Sequence, residues 1–150
     1  MTTTDLRTAL VAAFPPAPIT RDMIHAADAS WARYEDRDVL PLLEGKSWLE
    51  LTPDILERHE ALLIHTGAAL YQAILPAYLL RLIEREHATI GAFHVVSQLT
   101  RGDNSVAREL FDARVGTMTP AQRDVVRRAI AILAQQPLLR EVASDALRSW

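Results

Sequence analysis

The 150-residue chain has no cysteine, only five glycines and a single lysine. Without cysteine there is no disulfide framework, cysteine–zinc site, iron–sulfur cluster or cysteine nucleophile. Glycine is too scattered to form a loop that cradles phosphate. Long apolar runs are missing as well. The longest stretch without a formal charge or histidine, Thr66 to Leu80, contains Gln72 and Pro76. It is too short to cross about 30 Å of hydrocarbon. The opening "MTTTDLRTAL" lacks a basic segment followed by an apolar run, so no secretory signal is expected and the expected location is the cytoplasm. An excess of positive charge is absent too. The net charge is −3, from 16 basic and 19 acidic residues, the wrong sign for a general nucleic-acid binder, which must neutralise phosphates. Apart from Lys46 every basic residue is arginine, and alanine is abundant. That pattern matches a GC-rich bacterial coding bias, and the arginines are not read as phosphate clamps.

No segment alternates apolar and polar residues between turn signals, so no strand is predicted. Helical periodicity runs through nearly the whole chain. A first helix is expected from about Thr4 to Phe14, stopped by "FPPAP", because proline lacks an amide and restricts the residue before it. Thr20 is placed to cap a second helix carrying Ile24, Ala27, Trp31 and Tyr34, with Ile19 and Ile24 as a staple across the cap. A short helix follows at about Arg37 to Glu44, closed by Gly45. Trp48, Leu49 and Leu51 form an apolar knot. In "TPDIL", Thr52 caps, Pro53 takes the first helical position and Asp54 faces the positive end of the dipole. Thr66 is placed to cap a long helix over about 67–86. Ile90, Phe93, Val96 and Leu99 mark a further helix, which Gly102 ends. Asp103 or Ser105 caps the next, through about Arg114. Thr119 and Gln122 have capping-box spacing before a helix to about Gln135. Pro137 starts the last helix, with Leu139, Val142, Ala143, Ala146, Leu147 and Trp150 on one stripe. The expected fold is therefore all-α. It is one domain over residues 1–150, an irregular bundle of eight or nine helices around a central proline-kinked helix.

Pro76 stands in the middle of that central helix, "LYQAILPAYLLRLIER". An interior proline costs about 3 kcal/mol, because one hydrogen bond is lost and the ring meets the preceding turn. Leu75 cannot cap a new helix, so one kinked helix is expected rather than two. Tyr71, Ile74, Leu75, Tyr78, Leu79 and Leu82 fall on one broad face. Ala68, Ala69 and Ala73 make the opposite face apolar, so the N-terminal half is expected to be buried all round. On a structural reading the kink wraps a core helix around its neighbours. On a functional reading it opens a ligand pocket with Tyr71, Gln72 and Tyr78 as its polar groups.

Trp48, then "LTPDILERHEALLIHTGAALYQAILPAYLL", then "MTPAQRDVVRRAIAIL", resembles a family of small uncharacterised bacterial all-helical proteins. In that family a tryptophan precedes a helix with Leu-Pro-Ala-Tyr or Leu-Pro-Ala-Phe, and a late helix opens on Thr or Ser with a glutamine following. The resemblance covers residues 48 to 133. Ala73 stands where the family pattern has an aromatic residue. The resemblance implies a fold and carries no activity.

Two clusters suggest metals. His59 and His65 are six residues apart, which places them on nearly opposite sides of a helix and breaks the zinc-protease spacing. Glu84 and His87 have the Glu-x-x-His spacing of half a di-iron site. No second copy exists, and both point away from the core stripe, so they remain remote metal candidates. "RGD" at 101–103 spells an adhesion tripeptide, but its glycine and aspartate occupy capping positions. Serine has no recognisable nucleophile motif. No catalytic residue and no cofactor are therefore expected. The expected function is non-catalytic: interaction with another protein or with itself, of an accessory or immunity type, through a surface that includes Trp31 and Tyr34. Neither nucleic acid nor membrane is an expected partner. The alternative is a small-molecule binder or enzyme with its pocket beside Pro76.

Overall fold

The structure, a computed structural model, describes residues 2–26, 40–85 and 89–150, without the side chains of Leu40 and Ile90. The expectations placed on Ala27, Trp31, Tyr34 and His87 lie outside the described residues. Those residues form ten α-helices and no strand: α1 Thr3–Ala13, α2 Arg21–Ile24, α3 Leu40–Leu43, α4 Pro53–Arg58, α5 Leu62–His65, α6 Ala68–Glu84, α7 Ile90–Ser97, α8 Ser105–Gly116, α9 Pro120–Leu133 and α10 Arg140–Leu147. A 3₁₀ turn, Trp48–Glu50, lies between α3 and α4.

Most starts follow the caps legible in the sequence. The Thr20 hydroxyl accepts from the Met23 amide, with Ile19 and Ile24 both buried across it. Thr52 caps α4 ahead of Pro53. Thr119 and Gln122 form a reciprocal capping box on α9, and Thr2 with Asp5 forms another on α1. Gly45 has φ +81° after α3. Its amide donates to the Ile19 carbonyl, and the Ile19 amide donates to Lys46. Those two bonds clasp the entrance of α2 to the exit of α3.

Four expectations are corrected. The segment from Pro53 to His65 is two short helices, because the chain leaves helical geometry at His59 (φ −121°, ψ 53°). Thr66 does not cap α6. It closes α5, its hydroxyl donating back to the Leu63 carbonyl at 3.2 Å, and Gly67 occupies the N-cap of α6 without a side-chain bond. Neither Asp103 nor Ser105 caps α8. Asn104 does so, accepting from the Ala107 amide at 2.8 Å, while Gly102 takes φ +84° and a Cβ there would meet that of Ala107. Phe93 is exposed, and α7 with the turn that follows it buries Ala92, Val95, Val96 and Leu99. Steps of three residues fall behind a 100° helical turn, whereas the i, i+3, i+4, i+7 set keeps to one face and meets α10.

At the centre, α6 runs unbroken through Pro76. It packs against α1, α2, α4, α5, α8, α9 and the 3₁₀ turn. Every residue from Ile74 to Leu80 is buried. All-round burial therefore surrounds the proline rather than the N-terminal half, where Ala69 is exposed and Gln72 and Ala73 are half-buried. A second layer forms where α9 packs on α1, α6 and α10, burying Val125, Val126, Ala129, Ile130 and Leu133. Among the described residues no helix is long and apolar enough to cross a membrane.

Thr119→Ala removes a capping bond of α9 and should lower stability by about 1 kcal/mol. Leu79→Ala, at a fully buried position, should lower it by about 2–5 kcal/mol. Both are read from the urea midpoint at constant slope.

Candidate functional site

The polar residues around α6 largely serve backbone carbonyls. Tyr78 donates its hydroxyl to the His59 carbonyl at 2.6 Å, where α4 breaks off. Gln72 donates its amide nitrogen to the Arg114 carbonyl at 3.1 Å and to the Thr117 hydroxyl, both at the end of α8. The Arg114 guanidinium reaches the Thr66 carbonyl through Nε and Nη2 (3.1 and 2.8 Å) and the Ile64 carbonyl through Nη2. It thus closes the C-terminal end of α5, where cations complement the dipole. Its carbon lies 5.3 Å from the centre of the Tyr71 ring, a cation–π contact. Tyr71 is buried and its hydroxyl has no hydrogen-bond partner among the described residues. Burial pushes that hydroxyl far above the usual tyrosine range, against a smaller opposing effect of Arg114. His65 is held below its ordinary value, first by burial and then by the Arg114 charge.

Of the three pocket candidates, only Gln72 lines a sizeable hollow. A hollow of about 280 Å³ opens beside the first turns of α6, between Phe14, Met23, Trp48 and Ala73, and Gln72 and Gln122 also line it. Two of these walls are pinned. Trp48 donates its indole N–H to the Phe14 carbonyl at 2.8 Å, and Gln122 donates to the Ala13 carbonyl at 3.1 Å. On the other side of Trp48, a hollow of about 110 Å³ is flanked by Ala77 and Leu80 and rimmed by Arg7, Arg81 and Glu84. Tyr78 borders only a space of about 20 Å³ beneath Gly91, room for one water. Near it Glu57 bridges Arg81 and Arg85 at 2.7 Å each. Hydrogen bonds from Arg81 and then Arg85 hold its carboxyl below the usual range.

Of the metal candidates Glu84 and His87, only Glu84 is among the described residues. It pairs with Arg7 at 3.6 Å. His59 is the C-cap of α4 and His65 the last residue of α5. Among the described residues no group of three or more His, Asp or Glu is placed to hold a metal ion. Arg101 of the RGD tripeptide makes a two-armed ion pair with Asp112, at 2.8 and 2.6 Å.

A surface that periodicity alone did not expose is the outer side of α8. Val106 is 64% and Leu110 39% exposed, while Phe111 and Val115 of the same helix are buried. Val106, Leu110 and Arg114 follow at steps of four, one row along the helix. Arg114 then touches the backbone of Ile64, which is 47% exposed. Ala107, Arg108 and Glu109 separate Val106 from Leu110 in the sequence, and the burial of Phe111 and Val115 identifies which row is left outside.

Comparison with protein-family models, with curated proteins and with solved structures finds no match to the chain.

His65 binds protons less readily folded than unfolded. Stability should therefore fall as pH drops from its ordinary value of 6.5 toward the depressed one. His65→Gln should flatten that part of the pH dependence, measured by urea unfolding at a series of pH values. Arg114→Lys keeps the charge but loses the planar fork. It should cost about 1.5–3 kcal/mol.

Proposed function

We propose that the protein is a non-catalytic bacterial protein that acts in the cytoplasm by binding another protein. The observation that carries this reading is the exposed row of Val106 and Leu110 on α8; one turn on, Arg114 reaches the backbone of exposed Ile64 on α5. Branched aliphatic side chains at i and i+4 on an exposed helix face have the spacing with which one helix meets an apolar face of another. Burying each contributes about 1.5–3 kcal/mol before the costs of association. The arginine-for-lysine usage and abundant alanine support the bacterial source. Trp31 and Tyr34, proposed from the sequence as part of a partner surface, lie outside the described residues. The occupant proposed for the α8 row is an apolar helix face of a different protein; a second copy of this chain is the competing occupant.

Val106→Asp combined with Leu110→Asp should leave the melting temperature nearly unchanged, because neither side chain is in the core. Tagged wild-type protein should retain a specific protein from the source cell that the double variant loses. Sedimentation should show a monomer. A wild-type dimer that the variant dissolves would reassign the row to self-association. Equal recovery by both proteins, or recovery by neither, would overturn the proposal.

A further inference from the structure

We propose that the partner at the α8 row is a basic amphipathic helix: its apolar stripe is bordered by lysine or arginine, and its bulkiest side chains meet the C-terminal half of α8. This inference rests on the reading above, that another protein docks on that row.

The shape of the row comes first. At about 100° per residue, Val106, Leu110 and Ala113 keep within about 60° of one another around α8, and Gly116 follows at their edge. All four are exposed, while Phe111 and Val115 take the core side of the helix. Side-chain bulk falls along the row, from valine and leucine to alanine and then glycine. A side-chain carbon added at Gly116 would meet nothing within 4 Å, so the last turn of α8 stands open. How near two helices come is set by the side chains at their contact. Large side chains of the partner therefore fill the space over Ala113 and Gly116, and smaller ones suit the Val106 end. Steps of four and three are the spacing at which a helix meets a helix, whereas a strand repeats every two residues. From Val106 to Gly116 the row runs about 15 Å, close to three turns of a partner helix.

Charge comes second. Glu109 borders the row, about 60° from Val106 on the Gly116 side. It is exposed and makes no ion pair among the described residues. Asp112, three residues further along that edge, is engaged by Arg101. On the opposite edge Arg114 turns its guanidinium onto the Thr66 and Ile64 carbonyls. Arg108 falls about 160° from Leu110, on another side of the helix. The uncommitted charge beside the row is thus that of Glu109, and the chain as a whole carries −3, the same sign. A cation next to the partner's apolar stripe meets Glu109, and the overall charge draws such a partner in. A second copy of this chain would bring another Glu109 and another −3 to the same seam, which opposes self-pairing.

Two designed amphipathic peptides serve as probes. They share one leucine–alanine stripe and differ only in the residues that border it, lysine in one and glutamate in the other. Titrated into the ¹⁵N-labelled full chain, the lysine peptide should give saturable amide shifts centred on Val106, Leu110, Ala113 and Gly116. The glutamate peptide should bind about threefold to tenfold more weakly at low ionic strength, and the gap should close in about 1 M salt. Glu109→Lys should reverse the preference. Ala113→Phe, at an exposed position, should weaken the lysine peptide about tenfold with the melting temperature nearly unchanged. No saturable shift with either peptide would overturn the helical partner. Equal binding of the two, or a preference that Glu109→Lys leaves in place, would overturn its basic character. Binding that Ala113→Phe does not alter would overturn the fit at the C-terminal half of α8. The underlying reading is separated by recovery from the source cell. A protein lost with Val106→Asp and Leu110→Asp but retained equally by Glu109→Lys would keep that reading and overturn this inference.

Discussion

A chain whose described residues form ten helices has a recurrent problem: every helix end leaves carbonyls without an intrahelical partner. Here many of those ends are turned inward, away from water, where an unmade hydrogen bond costs about 1–3 kcal/mol. The fold depends on donors brought from far along the sequence. Trp48 and Gln122 serve the end of α1, Tyr78 the end of α4, Arg114 the end of α5, Gln72 the end of α8, and the Trp150 indole the Leu99 carbonyl after α7. Gln98 serves the Glu60 carbonyl between α4 and α5. Each bond joins two elements and settles a polar group that packing alone would strand, so it fixes how the elements meet as well as contributing stability.

Pro76 belongs to the same account. Its missing amide deprives the Gln72 carbonyl of its usual partner, within a helix that the core requires to be continuous. The cost of about 3 kcal/mol falls where the surrounding burial is densest, from Ile74 to Leu80. Several fully buried leucines and isoleucines, each contributing about 1.5–3 kcal/mol, outweigh it. That is why the helix does not divide at the proline. Hollows lined by Ala73 and by Ala77 lie before and after the proline along the helix.

Local chemistry was legible in the sequence, and long-range chemistry was not. Thr20, Thr52, Thr119 with Gln122, and Gly45 act within three or four residues of the helix end they control, so spacing alone reveals them. The stripe on α10 was equally plain, since Leu139, Val142, Ala143 and Ala146 share one helical face and are all buried. Thr66 misled because a threonine between two helices can serve either, and the choice fell to α5 once Arg114, 48 residues away, had claimed the Thr66 carbonyl. Asn104 was passed over between two other capping residue types that differ from it only in register. Tyr71, Gln72 and Tyr78 were grouped by nearness on one helix. Neighbours at a helical step of one diverge by about 100°, so Gln72 reached a cavity while Tyr71 turned beneath Arg114 and Tyr78 toward α4. The cavity itself had no local signature. Its walls come from residues 14, 23, 48, 73 and 122, which only the tertiary fold brings together.

The donors spent on helix ends also shape what is left for binding. Around α6, tyrosine, glutamine, tryptophan and arginine are mostly committed to backbone carbonyls. Among the described residues the outward row of α8 is not spent in this way. Gln72 touches both α8 and the cavity. Its nitrogen holds the Arg114 carbonyl and Thr117 at the end of α8, and the same residue lines the cavity. Arg114 in turn carries the α8 row across to Ile64. The cavity and the exposed apolar row are thus two ends of one bonded chain of side chains, Gln72 to α8 to α5. The bonds that close the helices also set the position of the surface offered to a partner.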